Sequence, residues 1–326
     1  MPALYPLKFK TIYKDKIWGG QKIKTYLHKD FGELPNCGET WEISGVKSDV
    51  SVVDGGALDG ESLAVLLENY KEELVGKKVY EHFGNIFPLL VKFIDANDDL
   101  SVQVHPDDEL AKKRHNSFGK TEMWYIIEAD KGSTLITGFN QEMDEQKYVD
   151  ALNSGHIMDI LNREDAVAGD VFFLPAGRVH TIGKGLLIAE IQQTSDITYR
   201  IYDFDRVDDH GNKRELHTEE ALAAIDYKHY PDYKTRYEAK KDETVQVVSC
   251  PYFTTSVLDF DKSTLKDYSA LDSFVIHVCV EGAYNLTCNG ESYPVKMGEC
   301  ILLPKSIDHV ELETTGGFKI LESYIA

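Results

Sequence analysis

Short apolar segments alternate with polar or glycine-rich turns along most of this 326-residue chain, which predicts a mainly β protein. The apolar run over 87–97 has the length of a strand and includes a lysine, Lys92. Further strands are predicted at 38–44, 100–105, 119–127, 132–139, 169–180, 185–195 and 196–204. From Val245 onwards the pattern is one of strands and turns only.

Helical spacing of apolar residues is confined to a few short stretches. Residues 61–76 carry leucines on one helical face, and Gly76 would end a single helix there. Proline and acidic residues at 106–109 favour the first turn of another helix. Short helices are predicted at 106–116, within 141–162 and at 216–226. The polar segment 228–244 separates two halves, so we predict one domain over 1–235 and a second over 240–326.

The segment LSVQVHPDD, residues 100–108, places polar groups on one face of a strand. Gln103 and His105 alternate with two valines, so their side chains share a face and the valines take the other. An amide oxygen and an imidazole nitrogen are usable metal ligands, and Pro106 would end the strand just after them. The alternation therefore predicts polar groups facing a cavity.

One pattern occurs twice. Residues 169–180 (GDVFFLPAGRVH) and 298–309 (GECILLPKSIDH) both read Gly, five residues, Pro, one residue, Gly or Ser, two residues, His. A glycine turn, an apolar strand, a proline turn and an inward-facing histidine resemble the second conserved motif of cupin barrels. Two copies in register predict two cupin-like (jelly-roll) barrels, with a few short helices inserted in or flanking the first. We expect the second barrel to pack on the first and complete its wall.

The two copies differ in their candidate ligands. The first follows Gln103, His105 and the carboxylate of Glu122, and it contributes His180. The second has only His277 and His309 nearby. Two nitrogens and two oxygens suit a catalytic zinc site with an open position, although Fe, Mn, Co and Ni also accept such ligands. We predict a metal in the first barrel alone.

Charged residues inside apolar strands mark the same cavity. Lys92, Lys120 and Arg200 are candidates for holding an anionic substrate, and Glu190 is a further charge in an apolar run. Each has a plainer interpretation: an exposed strand edge for Lys92, a surface turn for Lys120, and for Arg200 an ion pair with Asp203 or Asp205. Burial of these charges would favour the polar cavity.

Composition narrows the possible partners. A net charge of −20 argues against nucleic acid and anionic membranes as partners, and no apolar run reaches the ~18 residues that cross a bilayer. The five cysteines are odd in number and form no CxxC pair, which predicts reduced thiols and no thiolate zinc site. A cytoplasmic protein acting on a small molecule is the expectation.

The motifs KIWGG, GETWEIS, LSVQVHPDD, GKTEMWYI, PAGRVHTIG and QQTSDITYRIYDFDR, in this order, make the chain similar to the type I phosphomannose isomerases in their short bacterial form. The resemblance implies interconversion of mannose 6-phosphate and fructose 6-phosphate by a monomer or small homo-oligomer that uses one zinc ion. It implies Gln103, His105, Glu122 and His180 as zinc ligands and Arg200 as the active-site arginine. Lys92, Ser101, Lys120 and Glu190 match positions that line the pocket of the family. The large helical insertion of the long form is absent or reduced to 141–162.

For such an isomerase, Lys120 and Glu190 are the candidates for proton transfer, with Lys120 preferred between O1 and O2 of the sugar. Arg200 would bind phosphate or stabilise the charge of an enediolate. Two other functions fit the fold: a metal-dependent cupin of another class, such as a dioxygenase or a different sugar isomerase, and a non-catalytic sugar-binding cupin.

Overall fold

The computed structural model describes residues 1–207 and 210–326, and its mainly β architecture confirms the predicted fold class. The strands of the first part are β1 (Ile12–Lys14), β2 (Glu39–Ser44), β3 (Leu89–Ala96), β4 (Val102–Val104), β5 (Glu122–Ala129), β6 (Thr134–Phe139), β7 (Leu161–Asp165), β8 (Val171–Leu174), β9 (His180–Ile182), β10 (Leu186–Gln193), β11 (Tyr199–Tyr202) and β12 (Lys234–Thr235). The strands of the second part are β13 (Glu243–Ser249), β14 (Thr254–Phe260), β15 (Thr264–Asp267), β16 (Val275–Cys288), β17 (Glu291–Lys296), β18 (Cys300–Leu303), β19 (His309–Glu313) and β20 (Phe318–Tyr324).

The helices of the described residues all precede the second part. They are α1 (Lys22–Thr25), α2 (Leu63–Tyr70), α3 (Glu72–Val75), α4 (Lys77–Phe83), α5 (Asp108–His115), α6 (Glu145–Asn153) and α7 (Thr218–Leu222), with 3₁₀ turns at Gly56–Leu58 and Ile157–Ile160. The single helix predicted over 61–76 is wrong. Lys71 has a φ of 49°, which ends α2 and starts α3, because a residue in the left-handed region cannot continue an α-helix. None of the described helices has the length and apolar composition needed to span a membrane.

Two sheets face each other in the first part and enclose the cavity. The seven-stranded sheet has the order β1-β2-β3-β10-β5-β8-β12, and the five-stranded sheet has the order β11-β4-β9-β6-β7. Apolar side chains from both sheets meet between them, among them Ile94, Trp124 and Ile182. The outer face of the five-stranded sheet is covered by α6 and α7, which pack against residues such as Phe139 and Ile201.

The seven-stranded sheet is buried on both faces, which explains the continuous apolar run that predicted β3. Leu89, Val91 and Phe93 point outwards and pack in one core with side chains of the second part, whereas Lys92 and Ile94 point into the first barrel. The second part therefore packs against the outer face of this sheet. The expectation that it completes the first barrel's wall is wrong, since the described strands β13–β20 join neither of the first two sheets.

The third sheet, β13-β14-β20-β16-β19-β15 with β17 and β18 added on β16, folds around its own apolar core. This second barrel contains no helix among its described residues. The predicted boundary segment is not a free linker, because Tyr233 is buried and its hydroxyl donates to the carbonyl of Phe139 (2.9 Å). The division into domains 1–235 and 240–326 stays a prediction.

Candidate active site

Three buried side chains converge between the two sheets of the first barrel. His105 follows β4, Glu122 begins β5 and His180 begins β9, and their possible ligand atoms all lie within 4.8 Å of one another. The Nε2 atoms of His105 and His180 are 3.6 and 3.4 Å from the Glu122 carboxylate. Among the described residues this is the one group of three or more His, Cys, Asp or Glu side chains close enough to hold a metal ion.

Both imidazoles are oriented by backbone carbonyls. His105 Nδ1 donates to the carbonyl of Ile197 (2.8 Å), and His180 Nδ1 donates to that of Arg178 (2.8 Å). With the proton on Nδ1, each Nε2 keeps its lone pair and directs it towards Glu122. Burial lowers the pKa of His180 to about 4 and that of His105 well below its usual value, so both rings are neutral at pH 7.

The buried Glu122 carboxylate has the chemical character of a metal ligand. Both of its oxygens are fully buried without a hydrogen-bond partner, and the Lys120 ammonium lies 3.1 Å from Oε2. Burial and the charge of Glu190 raise the pKa of Glu122 to about 7. An unsatisfied buried carboxylate is costly, and a bound cation would remove that cost.

Gln103 reaches the same point from β4. Its side-chain amide lies 3.3 Å from His180 Nε2, and the two residues face each other in the β4–β9 register. Rotation of the amide by 180° exchanges its nitrogen and oxygen, so the oxygen can point at the position shared by the two imidazoles. The geometry is compatible with the predicted fourth ligand.

Two rows of side chains face each other across the cavity. In the seven-stranded sheet, Lys92, Glu190 and Trp124 lie side by side on β3, β10 and β5. In the five-stranded sheet, Arg200 and His180 flank Gln103. The predicted residues come from six segments distant in sequence, and strand register brings them together.

Lys92 and Glu190 form a buried ion pair of 3.0 Å, which excludes the exposed strand edge as the explanation of Lys92. Trp124 Nε1 donates to the second Glu190 oxygen (2.8 Å). Burial opposes ionisation of Glu190, but the charges of Lys92 and Lys120 outweigh it and lower its pKa to about 2. Its lysine neighbours therefore favour the ionised form of Glu190.

Arg200 lies beside Gln103 and lines the cavity. The ion pair with Asp203 or Asp205 is not formed. Asp203 instead binds Arg206 and Arg214, and Arg200 Nη1 donates to the carbonyl of Glu215 (2.8 Å). The Nε of Arg200 is buried without a partner, and burial together with nearby Arg214 lowers the pKa of the guanidinium.

The cavity has a volume of about 450 Å³, within the range of roughly 300–1,000 Å³ that is usual for small-molecule sites. Lys120 and Ser101 are buried at its wall, so Lys120 does not lie on a surface turn. The charged lining residues described are six cations and four anions: Lys14, Lys16, Lys92, Lys120, Arg200, Arg214, Glu39, Asp49, Glu190 and Asp196. This excess of cations in a chain of net charge −20 favours an anionic ligand.

Sequence reasoning missed the part of the lining that comes from β1, β2 and the segment after β11. Glu39 lies 4.0 Å from the Lys92 ammonium, and Trp41 Nε1 donates to Glu39 (2.8 Å). Lys92 also lies over the Trp41 ring, 5.3 Å from its centre. The alternation of Glu39 and Trp41 in GETWEIS was the available signal, since it matches the Gln103/His105 alternation.

The second barrel repeats the loop but not the site. His309 begins β19 but its side chain is 71% exposed and lies 3.4 Å from Asp267. The prediction that it faces the barrel interior is wrong, because Val310 and Leu312 fill that face. His277 is buried between the hydroxyls of Tyr268 (3.0 Å) and Tyr284 (3.1 Å). The absence of a metal from the second barrel stays a prediction.

Comparisons with known proteins point to one family. Residues 6–147 match the catalytic domain of type I phosphomannose isomerase, and residues 242–325 match the cupin domain of mannose-6-phosphate isomerase. The chain is 36% identical over 314 residues to mannose-6-phosphate isomerase ManA of Bacillus subtilis (strain 168), covering 94% of this chain and 96% of that protein. It is 34% identical over 323 residues to mannose-6-phosphate isomerase of Streptococcus mutans, covering 98% of each.

Solved structures agree with the sequence comparisons. The crystal structure of mannose 6-phosphate isomerase from Bacillus subtilis superposes with a TM-score of 0.88 at 31% identity, covering 98% of this chain and 99% of that one. A mannose 6-phosphate isomerase bound with zinc and yttrium shares the fold, with a TM-score of 0.76 at 18% identity and coverage of 98% and 99%. These matches confirm the family that the motifs indicated: the chain belongs to the type I phosphomannose isomerases.

Proposed function

We propose that the protein is a zinc-dependent aldose–ketose isomerase that interconverts mannose 6-phosphate and fructose 6-phosphate through an enediol, with one zinc ion per chain. The observation that carries the proposal is the convergence of His105, Glu122 and His180 directly beside Gln103 and Lys120, which line a cation-rich cavity. Family membership supports the reaction, and this convergence supports the place that we propose for it.

The donor set fits zinc. Two neutral imidazoles that keep the Nε2 lone pair, a buried carboxylate and an amide oxygen form a four-ligand set of nitrogens and oxygens. When bound, zinc would act as a Lewis acid that polarises the oxygens at C1 and C2 of the substrate. A structural relative has zinc bound, although at its level of identity it shows the shared fold alone.

The protein's own residues divide the remaining work. We assign the transfer of protons between O1 and O2 to Lys120, whose ammonium contacts Glu122 and His105 (3.1 Å each) at the centre of the site. We assign to Glu190 the task of holding Lys92 in place. As a buried carboxylate that the charges of Lys92 and Lys120 keep ionised, it is also our candidate for removing the carbon-bound proton.

Arg200 has two possible tasks, and its position favours one of them. Its neighbour across the strand pair is Gln103, one of the proposed ligands, and its buried Nε has no partner. We therefore assign it to the negative charge of the enediolate. Ser101 and Lys92 line the wall and would bind the sugar phosphate.

The test is an isomerase assay on mannose 6-phosphate, coupled to detection of fructose 6-phosphate. We expect activity in the purified protein, its loss after a chelator removes the metal, and its return with zinc. A run in deuterated water adds a second readout, because an enediol route places deuterium at C2 of the recovered mannose 6-phosphate. Turnover that persists without metal, or without any solvent exchange at C2, would contradict the proposal.

Other functions of the fold give other results. A dioxygenase would need iron and has no use for the cationic lining, and metal analysis distinguishes it. A non-catalytic sugar-binding cupin would bind the phosphate but exchange no deuterium. A cytoplasmic location, and a monomeric or small homo-oligomeric state, stay predictions.

A further inference from the structure

The metal-site strand is followed by two aspartates whose side chains point to different partners. Asp107 accepts a hydrogen bond from the amide of Leu110 (2.8 Å) and caps α5. Asp108 does not serve the helix. Its Oδ1 accepts from the amide of Gly119 (2.8 Å) and from Gln193 Nε2 (3.0 Å).

Gln193 is the other half of this contact, and it is buried. The side-chain Oε1 of Gln193 accepts from the backbone amide of Thr121 (2.8 Å), and the backbone amide of Gln193 donates to the carbonyl of Thr121 (3.1 Å). Both ends of the side chain are satisfied, and its orientation is fixed, because the amide of Thr121 requires an oxygen and the carboxylate of Asp108 requires a donor.

Thr121 lies between Lys120 and Glu122, the proposed proton-transfer group and one of the proposed metal ligands. The amide of Lys120 donates to the carbonyl of Pro106 (3.1 Å), directly after His105. The backbones also touch closely at Gly119, where a Cβ atom would lie 2.6 Å from the carbonyl carbon of Asp107. Hydrogen bonds thus connect three segments: the one that carries His105, the one that carries Lys120 and Glu122, and the end of β10 at Gln193.

We infer that Asp108 and Gln193 form a positioning pair that holds Lys120 and Glu122 against His105 in the geometry the metal requires. The hydrogen bonds of Asp108 and Gln193 go to the backbone of Gly119 and Thr121 and to each other. The two side chains therefore act on the site through the backbone of 119–122. The inference rests on the proposed function, since it assigns a role in the same site. Residues that orient metal ligands change metal affinity by about 10–100-fold when they are removed.

The pair faces a cleft between the two barrels. Asp108 and Gln193 line this cleft of about 680 Å³ together with Tyr252 and Pro251 of the second part. Burial and a hydrogen bond to Asp108 raise the pKa of Tyr252 to about 12. The second barrel thereby contacts the network that supports the proposed metal site of the first.

The experiment compares Gln193→Leu with Asp107→Ala, a matched control one residue from Asp108 that loses a helix cap but no link to Thr121. Zinc affinity is measured by competition with a chromophoric chelator, and kcat and KM are measured separately. For Gln193→Leu we expect zinc affinity to fall about 10–100-fold and kcat to fall with KM nearly unchanged. Asp107→Ala should keep wild-type zinc affinity.

A second experiment changes the amide of Gln193 and the carboxylate of Asp108 in turn, and it does not depend on the folding of Gln193→Leu. Gln193→Glu alone brings two carboxylates together and should weaken zinc binding. Adding Asp108→Asn removes the repulsion between the two carboxylates. Because one atom of residue 108 faces both Gly119 and residue 193, the amide satisfies only one of them there, so the double variant should recover part of the lost zinc affinity. Recovery is the result that a merely structural role does not give.

The inference is overturned if Gln193→Leu keeps zinc affinity within twofold of wild type, or if it and Asp107→Ala lose affinity equally. It is also overturned if the double variant recovers nothing over Gln193→Glu. Failure of the proposed function is a separate result, visible in the wild-type protein as isomerase activity that zinc neither supports nor restores.

Discussion

The two barrels share a loop, a strand order and even a carboxylate, yet their interiors differ. In the first, Glu190 lies opposite Trp124 on the neighbouring strand; in the second, Glu322 lies opposite His277 in the same relation. Trp124 and His277 in turn pair with Phe172 and Ile301, which hold the same place in the two repeated segments. The carboxylate therefore occupies one position in a common framework.

Both carboxylates are ionised and paired with lysine. Glu322 is 3.0 Å from Lys266, and although burial opposes its ionisation, neighbouring His277 and the Lys266 charge lower its pKa to about 2. What differs is the opposite face. His180 points inwards in the first barrel, whereas His309 points to solvent and aliphatic side chains fill the interior of the second. The repeated loop therefore occurs in both barrels, but its histidine joins a cluster of possible metal ligands in the first and faces solvent in the second.

The largest expected effect comes from replacing the histidine of the repeated segment in each barrel separately. His180→Ala removes a proposed ligand and should lower kcat/KM on the order of 10³-fold, because the proposed metal would contribute several kcal/mol of transition-state stabilisation. His309→Ala changes the same position of the second barrel and should leave activity unchanged. Steady-state kinetics of both variants with excess zinc provide the check, and equal losses would contradict the comparison.

Arg200→Ala should have the next largest effect. Loss of one charged hydrogen-bonding group near the reacting atoms predicts a fall in kcat of roughly 10–100-fold with a smaller change in KM. Arg236→Ala, which breaks an exposed ion pair with Asp232, serves as the control. A raised KM with unchanged kcat would instead assign Arg200 to ground-state binding of the phosphate.

Gln103→Ala tests the least certain ligand of the first barrel. The two imidazoles and Glu122 remain, so we expect zinc to bind about tenfold more weakly rather than to be lost. Equilibrium competition with a chelator measures the change. Metal content and affinity equal to those of the wild type would show that Gln103 is not a ligand.

The smallest effect concerns the buried imidazole of the second barrel, which faces Tyr268, Tyr284 and Glu322, with Lys266 nearby. Burial lowers the pKa of His277 below the value of about 6.5 expected in the unfolded chain. Below that pH the unfolded state binds a proton that the folded state does not, so this contribution to stability is complete above pH 6.5 and is lost as pH falls.

His277→Gln removes this proton uptake. Its unfolding midpoint should therefore fall less steeply than that of the wild type as the pH is lowered from about 6.5. Thermal melts across this range measure both curves. Parallel curves would show that His277 is protonated equally in the folded and unfolded states.

Much of the fold was predictable because local pattern and tertiary structure agree. The apolar run around Lys92 forms β3, and the Gln103/His105 alternation places both side chains at the cavity. Two errors share one cause. His309 and Lys71 obey local sequence patterns, but the face of a strand and the end of a helix depend on packing that the sequence does not display.

The site was predictable where its residues fall inside motifs and not where register alone brings them in. Glu39 lines the cavity because β2 pairs with β3, and Arg214 does so because a loop returns beside β11. The same limit applies to Asp108. Its place in a helix-starting motif suggested a role in the helix dipole, whereas the structure turns its side chain to Gly119 and Gln193.

X-ray absorption at the zinc edge of the purified protein tests the central claim most directly, that one barrel of the two holds one zinc through imidazole and oxygen ligands. The account predicts one zinc per chain, scattering from nitrogen and oxygen at about 2.0–2.2 Å, and imidazole features that diminish in His180→Ala but not in His309→Ala. A sulfur shell at about 2.3 Å, two zinc ions per chain, or loss of the imidazole features in His309→Ala would contradict it.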